Sequence, residues 1–502
     1  MQINSLYIYD YKLLKNFTIN FSKDVSILIG INGSGKSSIL ECLAQIFSDA
    51  YLQEKSKFGF KLEYELRLEE IIEQTATTSE FKTDYIKVEI YTEKEDEKLL
   101  YKVYTGNDIL EKETDIEKKF GSLEKIFPSN IVIYYSGVAE IMKKICLPHD
   151  EKLSVNFRKG KTSLHRPFFY FEPPLFNLIL ITLLSYEYGD IPQFLFDRAK
   201  IKGVQSIQII LKKPSWGKGN TDRWWGAKGE VKTLLDLLNA NMDNAALIDS
   251  VLSNDISKNG NVVIETGPSE DFLIITIIGQ QKLFEIREHF VEERTLFKIL
   301  NTLLIDGFQP EVKFSFFQED ATGQHSFNVL SEGEQQAIII RGLIELVNNE
   351  NTLFLFDEPD TYLHPSWQRN FIESINELSK NAEYNNSQFI ITTHSPQLLS
   401  NADPANSDVQ IMEDGEIVKV TPKYYGRDIS TILYEMMGVE RRNKKVAKLL
   451  SVLFNHIEDE ELEKSKAEYE KLVAILGEDD PAIVRAKTQL DYLLEEQNEA
   501  NN

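Results

Sequence analysis

The sequence predicts an α/β fold: a head of strands and helices that carries a long insertion and is followed by a helical C-terminal region. Three observations predict it. An apolar strand at 25–30 runs through a glycine-rich loop into a helix, a unit typical of parallel sheets. Two more apolar strands lie within 351–360 and 387–396. Between these parts, the chain is first β-rich and then mostly helical.

Four segments are expected from this pattern. Residues 1–139 and 311–439 form the N-terminal and C-terminal parts of the head, and 140–310 is a mostly helical insertion. Alternating apolar residues predict strands near the start of the chain, and "EVKFSFFQEDATGQHSFNVLSEGEQQ" predicts a hairpin that leads into a helix. Residues 440–502 form a C-terminal helical region.

Composition limits the class of protein. The chain has 502 residues, 42% of them apolar, and a net charge of −24. No run approaches the ~20 apolar residues of a membrane span, and the N-terminus lacks the architecture of a signal peptide. Two cysteines provide neither a disulfide framework nor a zinc motif. We therefore expect a cytoplasmic protein without a membrane partner, and the acidity disfavours nonspecific binding of nucleic acid.

The loop after the first apolar strand has the pattern G-x4-G-K-[ST], with a strand before it and a helix after it. Glycines allow backbone N–H groups to surround a phosphate, and the helix N-terminus adds positive potential. Lys36 can reach the β- and γ-phosphates, and Ser37 can offer its hydroxyl to Mg²⁺. The residues expected to bind ATP are Gly30, Asn32, Gly33, Ser34, Gly35, Lys36, Ser37 and Ser38.

The strand in "TLFLFDEPD" ends in two acids. Asp357 is placed to hold Mg²⁺, and Glu358 is placed to orient or deprotonate an attacking water. The alternative is a buried strand that ends in two solvated carboxylates.

The segment "VLSEGEQQ" at 329–336 resembles the signature motif of ABC-type ATPases, which include transporters, SMC proteins and RecF. The resemblance implies that Ser331, Gly333 and Glu334 contact ATP bound by another copy. In "THSP", it implies that His394 is a switch histidine that senses the γ-phosphate. The alternative for 329–336 is a polar turn before a helix. The alternative for His394 is an isolated histidine after a strand. The four motifs occur in the family's order and predict one ABC-type ATP site.

Two features of that family are less direct in this chain. "YYSG" stands where the family has a glutamine after a strand, so Ser136 replaces it in our prediction as a ligand of Mg²⁺ or water. Tyr7, Tyr9 and Tyr11 are unassigned candidates for stacking on adenine.

The long insertion distinguishes branches of the family. It lacks the sustained heptads of SMC coiled coils and resembles the compact RecF-like and OLD-like ATPases. OLD-type chains continue into a Toprim nuclease domain, for which neither room nor motif is found after His394. No nuclease motif is therefore expected in this chain.

"YYGRDISTILYEMMGV" and "PSNIVIYYSG" resemble the AAA-family ATPases of bacterial antiphage modules, the PtuA group of Septu systems and its retron-associated relatives. The resemblance implies a head-to-head dimer or higher oligomer that regulates an HNH-type nuclease of the PtuB kind. In a retron, a reverse transcriptase and its msDNA would be further partners. The alternatives are a RecF-like DNA-repair ATPase, a transporter ATPase and a scaffold with negligible turnover.

A basic segment at 212–232 holds three of the four tryptophans of the chain. Cations between aromatic residues suit a nucleic-acid strand, by phosphate pairing and base stacking. The alternatives are a contact with a partner protein and a solvated loop whose tryptophans fill the local core. The residues concerned are Lys212, Lys213, Trp216, Lys218, Arg223, Trp224, Trp225 and Lys228.

The last two helices have the clearest boundary signals. Gly477 suits the end of one helix, Asp480 the N-cap of the next and Pro481 its first turn. Apolar residues share one face on each helix. The acidic, amphipathic helices predict a protein-interaction module, and a solvated helical cap is the alternative.

Overall fold

Strands and helices alternate along most of the chain in the structure, a computed structural model. It describes residues 1–70, 82–106, 108–137, 140–160, 165–220, 222–240, 261–266, 271–290, 292–318, 325–326, 330–380, 387–419, 421–440 and 442–500. These residues form two compact units, 1–426 and 427–502. The four-segment division expected from the sequence stays a prediction.

The strands occur throughout the first unit. They are β1 (Gln2–Tyr11), β2 (Leu14–Asn20), β3 (Val25–Gly30), β4 (Phe60–Glu70), β5 (Lys82–Thr92), β6 (Leu100–Thr105), β7 (Asp108–Leu110), β8 (Asn130–Tyr135), β9 (Phe168–Tyr170), β10 (Ile201–Lys212), β11 (Asn261–Thr266), β12 (Phe272–Ile278), β13 (Glu311–Gln318), β14 (His325–Ser326), β15 (Thr352–Asp357), β16 (Gln388–Thr392), β17 (Ser407–Glu413) and β18 (Glu416–Ile417).

The α-helices occur in both units. They are α1 (Lys36–Leu52), α2 (Glu113–Phe120), α3 (Ile141–Arg158), α4 (Pro173–Leu184), α5 (Ile191–Ala199), α6 (Gly229–Ala240), α7 (Gln280–Glu288), α8 (Glu293–Ile305), α9 (Glu332–Val347), α10 (Pro365–Lys380), α11 (Pro396–Ser400), α12 (Ile429–Met437), α13 (Lys444–Glu458), α14 (Leu462–Leu476) and α15 (Pro481–Ala500).

A seven-stranded sheet forms the centre of the first unit, in the order β18-β17-β3-β16-β15-β8-β9. Strands β3, β16, β15 and β8 are parallel to their neighbours, and β3, β15 and β16 are buried along their whole length. This burial explains their continuous apolar sequence, because parallel strands are covered on both faces. The carboxyl ends of these strands meet at one edge of the sheet, where the loops between strands and helices lie.

A six-stranded antiparallel sheet, in the order β2-β1-β4-β5-β6-β7, contains the strands predicted from alternating sequence. Its inward residues, among them Leu6, Leu62 and Val88, share one hydrophobic core with helix α1. The helix that follows the phosphate loop is therefore packed against a large buried surface.

The segment 140–310 contains helices α3–α8, and it also contains strands that the sequence did not predict. Strand β9 pairs with β8 in the central sheet, and β10–β12 join β13 and β14 in a third, antiparallel sheet. The pairing of β13 with β14 agrees with the predicted hairpin, whose tip lies outside the described residues. Apolar runs such as "IQIILK" fit a helix or a strand equally well, which explains the omission.

The second unit holds helices α12–α15, so it begins before residue 440. The predicted boundary between its last two helices is confirmed: α14 ends before Gly477, α15 begins at Pro481, and Asp480 Oδ1 accepts from the Ala482 N–H at 2.9 Å. Leu453, Leu472, Ile483 and Leu490 are among the buried residues of its core.

No helix among the described residues combines the length and apolar character that crossing a membrane requires.

Candidate functional site

The predicted phosphate loop lies between β3 and α1, at the carboxyl edge of the central sheet. Gly30 ends β3 with φ +153°, and a Cβ there would lie 2.2 Å from the carbonyl oxygen of Met412 on β17. Only glycine fits this close approach. The conformation of the phosphate loop therefore depends on β17, which lies near the other end of the first unit in the sequence.

Lys36 is the buried cation of the loop, with 5% of its surface exposed. Its Nζ donates to two neutral carbonyl oxygens, those of Gly30 at 3.0 Å and Ile31 at 3.2 Å. Burial lowers the pKa of Lys36, while the carboxylates of Glu358 and Asp357 raise it. An anion at this position would provide the missing countercharge.

The loop passes a second test for a phosphate ligand. The buried Ser34 Oγ has no hydrogen-bond partner among the described residues. The backbone after it enters the 17-residue helix α1, whose N-terminus favours anions. A buried orphan hydroxyl, a buried ammonium and a helix N-terminus together fit the phosphates of a nucleotide.

The two predicted Mg²⁺ ligands lie together. Ser37 Oγ is 2.9 and 3.1 Å from the two carboxylate oxygens of Asp357, which also accepts from the Thr392 hydroxyl. Burial raises the pKa of Asp357, and the hydrogen bonds from Thr392 and Ser37 lower it. A hydroxyl and a carboxylate are oxygen ligands of the kind that Mg²⁺ prefers, so these residues fit the ion.

Glu358 and His394 are also brought together. The backbone of Glu358 has φ +49°, a left-handed conformation that is uncommon for a residue with a side chain. Its N–H donates to the carbonyl oxygen of Thr392 at 3.0 Å, which helps hold the turn. His394 Nε2 lies 3.4 Å from Glu358 Oε1. Such strain occurs often at functional sites.

The protonation state of His394 follows from its surroundings. Burial lowers the pKa of His394, and Lys36 lowers it further, while Glu358 raises it. The imidazole is therefore neutral at neutral pH. A neutral ring can donate one hydrogen bond to an oxygen while the other nitrogen accepts.

The signature residues lie at the start of helix α9. Ser331 is the N-cap: its Oγ accepts from the Glu334 N–H at 3.3 Å, and the Glu334 carboxylate accepts from the Ser331 N–H at 2.7 Å. This capping box is typical of a stable helix N-terminus. Within the described chain, neither Ser331 nor Glu334 hydrogen-bonds to the phosphate loop.

Gly333 lies in the first turn of α9, and a Cβ there would come within 2.8 Å of the carbonyl oxygen of Tyr362. The signature turn is thus packed closely against the segment that follows Glu358. This contact alone requires glycine here, and the predicted contact of Gly333 with ATP stays a prediction.

Ser136 follows the end of β8, beside the acidic strand. Its backbone N–H donates to the carbonyl oxygen of Asp357 at 3.3 Å, so Ser136 lies at the carboxyl edge of the central sheet. Its role as a ligand stays a prediction. The hydroxyl of Tyr11 lies 3.3 Å from Glu41 Oε2, and Tyr7 contacts Tyr9 edge to face. No tyrosine is assigned to adenine.

Thr392 is a site residue that the sequence analysis missed. It lies directly opposite Asp357 in the register between β15 and β16, and it contacts both Asp357 and Glu358. The run "TTHSP" contains the signal, two hydroxyl residues at the end of a buried strand beside the predicted histidine.

Of the alternatives for the basic segment, the structure favours tryptophans that pack inside the protein. Trp224 and Trp225 are 4% and 6% exposed, and Trp224 Nε1 donates to Asp236 at 2.6 Å. Trp216 Nε1 donates to the carbonyl oxygen of Asp306 at 2.8 Å. Trp224 and Trp225 are buried and cannot stack on bases, and Trp216 is partly buried.

The cations of the segment remain at the surface. Lys213 Nζ lies 4.0 Å from Asp271, and the Arg223 guanidinium lies over the Trp224 ring at 4.8 Å. Lys212, Lys218 and Lys228 are exposed. Phosphate pairing is the part of the nucleic-acid prediction that this geometry permits.

The amino-acid sequence of this chain is similar to those of three bacterial proteins. The retron Ec83 probable ATPase of Escherichia coli is 33% identical over 28% of this chain and 25% of its own length. The retron Vc95 probable ATPase of Vibrio cholerae serotype O1 biovar El Tor is 23% identical over 80% of this chain and 71% of its own. The Septu protein PtuA of Bacillus thuringiensis is 28% identical over 41% and 55%.

The match thus spans only a quarter of the Ec83 protein and about half of PtuA. Among solved structures, an SMC head bound to the C-winged helix domain of ScpA is 14% identical, with a TM-score of 0.34, over 83% of this chain and 98% of that one. The family model described as AAA ATPase domain matches residues 1–399, which is most of the chain, so the chain belongs to the AAA ATPase domain family.

Proposed function

We propose that two copies of this chain enclose two ATP molecules between them and that hydrolysis there controls a separate nuclease. The observation that supports this best is the meeting of Ser37, Asp357, Glu358 and His394 at one sheet edge. Among the described residues, Ser331 of the same chain hydrogen-bonds only within the start of its own helix. A second copy would supply the signature that each phosphate loop lacks.

In this proposal each residue has a defined task. Lys36 and the loop N–H groups bind the triphosphate, and Ser37 and Asp357 hold Mg²⁺, which offsets phosphate charge when bound. Glu358 orients the attacking water and accepts its proton. His394 donates a hydrogen bond to the γ-phosphate. The contributions are positioning and charge stabilisation, which dominate phosphoryl transfer.

The named relatives support a role in antiphage defence. Two of them are probable ATPases of retrons, and the third is a Septu protein. We propose that this chain acts in the cytoplasm as the ATPase of such a module, with an HNH-type nuclease of the PtuB kind. In a retron-associated module, the reverse transcriptase and its msDNA would be further partners.

Purification of the full chain tests this division of labour. We expect the chain alone to release phosphate from ATP and to leave DNA and RNA intact. Cleavage should appear when the HNH partner is added, and Lys36→Ala in the ATPase should change that cleavage. Degradation of nucleic acid by the isolated wild-type chain, free of contaminating nuclease, would overturn the proposal.

A second candidate function is DNA binding of the RecF kind, which the exposed cations of the basic segment support. Its test compares the Lys212→Gln/Lys218→Gln variant with a control, Lys94→Gln/Lys98→Gln, at another exposed stretch. Tight, salt-dependent DNA binding that only the first variant weakens would favour this candidate. Equal affinities for the two variants would exclude the basic segment as the DNA site.

A further inference from the structure

A single buried side chain joins the signature helix to two other parts of the site. Gln336 lies on α9 and is 2% exposed. Its Nε2 donates to the Tyr134 hydroxyl at 3.1 Å, and its Oε1 accepts from the Tyr362 backbone N–H at 2.9 Å. The nitrogen and the oxygen of the Gln336 side-chain amide therefore each form a hydrogen bond, and the two partners lie in segments distant in sequence.

The first segment is the end of β8. Tyr134 is buried, and burial raises its pKa to about 12, so its hydroxyl is protonated at neutral pH. The next residue, Tyr135, is opposite Asp357 in the register of β8 and β15. Ser136 then donates its N–H to the carbonyl oxygen of Asp357. Gln336 thus contacts the strand beside the proposed Mg²⁺ ligand.

The second segment is the turn that follows Glu358. The Tyr362 backbone is contacted at two atoms: its N–H donates to Gln336 Oε1, and its carbonyl oxygen lies so close to Gly333 that a Cβ there would come within 2.8 Å. Thr361, the residue before Tyr362, donates its Oγ1 hydroxyl to the carbonyl oxygen of Glu358 at 2.9 Å, so the contacts extend from α9 to Glu358. The first two turns of α9 therefore contact the turn that carries Glu358, the proposed catalytic carboxylate.

We infer that Gln336 is a positioning residue that couples the signature of one chain to Glu358 of the same chain. This inference rests on the proposed function, in which Ser331 and Gly333 contact ATP bound by the partner. Contact with the partner's ATP would shift α9. The shift is transmitted to the Tyr362 backbone through the Gln336 side-chain amide, which is buried from water. Each chain then hydrolyses its own ATP in response to the ATP of its partner.

The substitution Gln336→Met tests the inference, because methionine has a similar length and makes neither hydrogen bond. Gln335→Met is the matched control: within the described residues, the Gln335 side chain donates to the Leu330 carbonyl oxygen, just before the same helix, and to no other group. Each variant is made in the full chain and also combined with Glu358→Gln, which traps the ATP-bound state.

We expect Gln336→Met to lower kcat at least about tenfold, since two buried hydrogen bonds are lost. Affinity for a fluorescent ATP analogue, and ATP-driven pairing in the Glu358→Gln background, should stay within about twofold of wild type, because the proposed ATP contacts Lys36, Ser331 and Gly333 are unchanged. Gln335→Met should keep both kcat and pairing near wild type.

A smaller change keeps the test open if Gln336→Met folds poorly. Tyr134→Phe removes one hydrogen bond only and should lower kcat by about threefold. Adding it to Gln336→Met should cause little further loss, because the two residues act through one contact.

Two results would overturn the inference. One is a kcat for Gln336→Met within twofold of wild type. The other is loss of ATP-driven pairing together with kcat, which would make Gln336 a structural support of the signature. Failure of the Glu358→Gln chain itself to pair with ATP would instead overturn the proposed function, so the two failures are distinguishable.

Discussion

Glu358 combines an uncommon backbone conformation with a position at the end of a buried strand. The left-handed turn points the chain away from β15 at once, so that the carboxylate stands beside His394 while Asp357 stays buried against Ser37. Two adjacent acids thereby obtain different surroundings. Different surroundings are what allow one carboxylate to hold a metal ion and the next to act on water.

We expect Glu358→Gln to bind ATP, to remain paired and to hydrolyse ATP at least about tenfold more slowly, since the amide cannot accept a proton. Phosphate release and light scattering measure the two effects. The control is Glu373→Gln, an exposed carboxylate on α10. Wild-type turnover in Glu358→Gln would remove this residue from the mechanism.

Asp360 predicts a dependence of stability on pH. Burial raises its pKa to about 6, against the lowering effect of the hydrogen bond from Thr393. An unfolded aspartate titrates near ~4, so the folded chain holds this proton more tightly. The stability from this group is complete below about pH 4 and is lost as the pH rises through about 6.

Asp360→Asn should therefore remove about 1 kcal/mol of the fall in unfolding free energy between about pH 5 and about pH 7. Denaturant unfolding at both pH values measures this difference. Burial also raises the pKa values of Asp49 and Asp306 to about 6, so the variant keeps their share of the fall. An unchanged pH dependence in Asp360→Asn would contradict the assignment.

At the scale of elements, the carboxyl edge of the central sheet collects four loops that are far apart in the sequence. The phosphate loop, the acid pair and the segment that contains His394 can be located from the sequence, because each is a short motif at the end of an apolar strand, and their roles stay proposals. Gln336 was not predictable, since its two partners lie far from it along the chain and no local pattern indicates them. Thr392 had only the weak signal of a hydroxyl residue at a strand end.

The same distinction applies to the basic segment. Its cations are visible in the sequence, but burial of Trp224 involves a hydrogen bond to Asp236 on α6, which no local pattern indicates. Local composition therefore left a stacking surface and a local core as alternatives, and tertiary packing decides between them.

The core of helices α13–α15 allows a prediction for an element. Leu453 is fully buried there, and Leu453→Ala should destabilise these helices by about 2–4 kcal/mol. Hydrogen exchange should speed up across α13–α15, while ATP hydrolysis should persist, because the predicted ATP-site residues lie within 1–426. The control is Val452→Ala, an exposed neighbour. Equal exchange in both variants would contradict this core.

For the whole molecule, the account depends on an ATP site built from two chains. One chain contains both a phosphate loop that fits a nucleotide and signature residues, Ser331 and Glu334, whose described side-chain hydrogen bonds stay within the start of α9. Symmetric pairing of identical chains would complete two sites at once, because each chain offers both surfaces. Coupling through Gln336 would then link the two sites.

Mixing two inactive variants measures this most directly. Lys36→Ala removes the ammonium of one phosphate loop, and Ser331→Arg blocks one signature, so pairs of either variant with itself should be inactive. A mixed pair retains one complete site, and random pairing should restore up to about a quarter of wild-type hydrolysis, with coupling through Gln336 lowering the recovery below that limit. Absence of any recovery, in a mixture where mixed pairs are detected by cross-linking, would contradict the shared site.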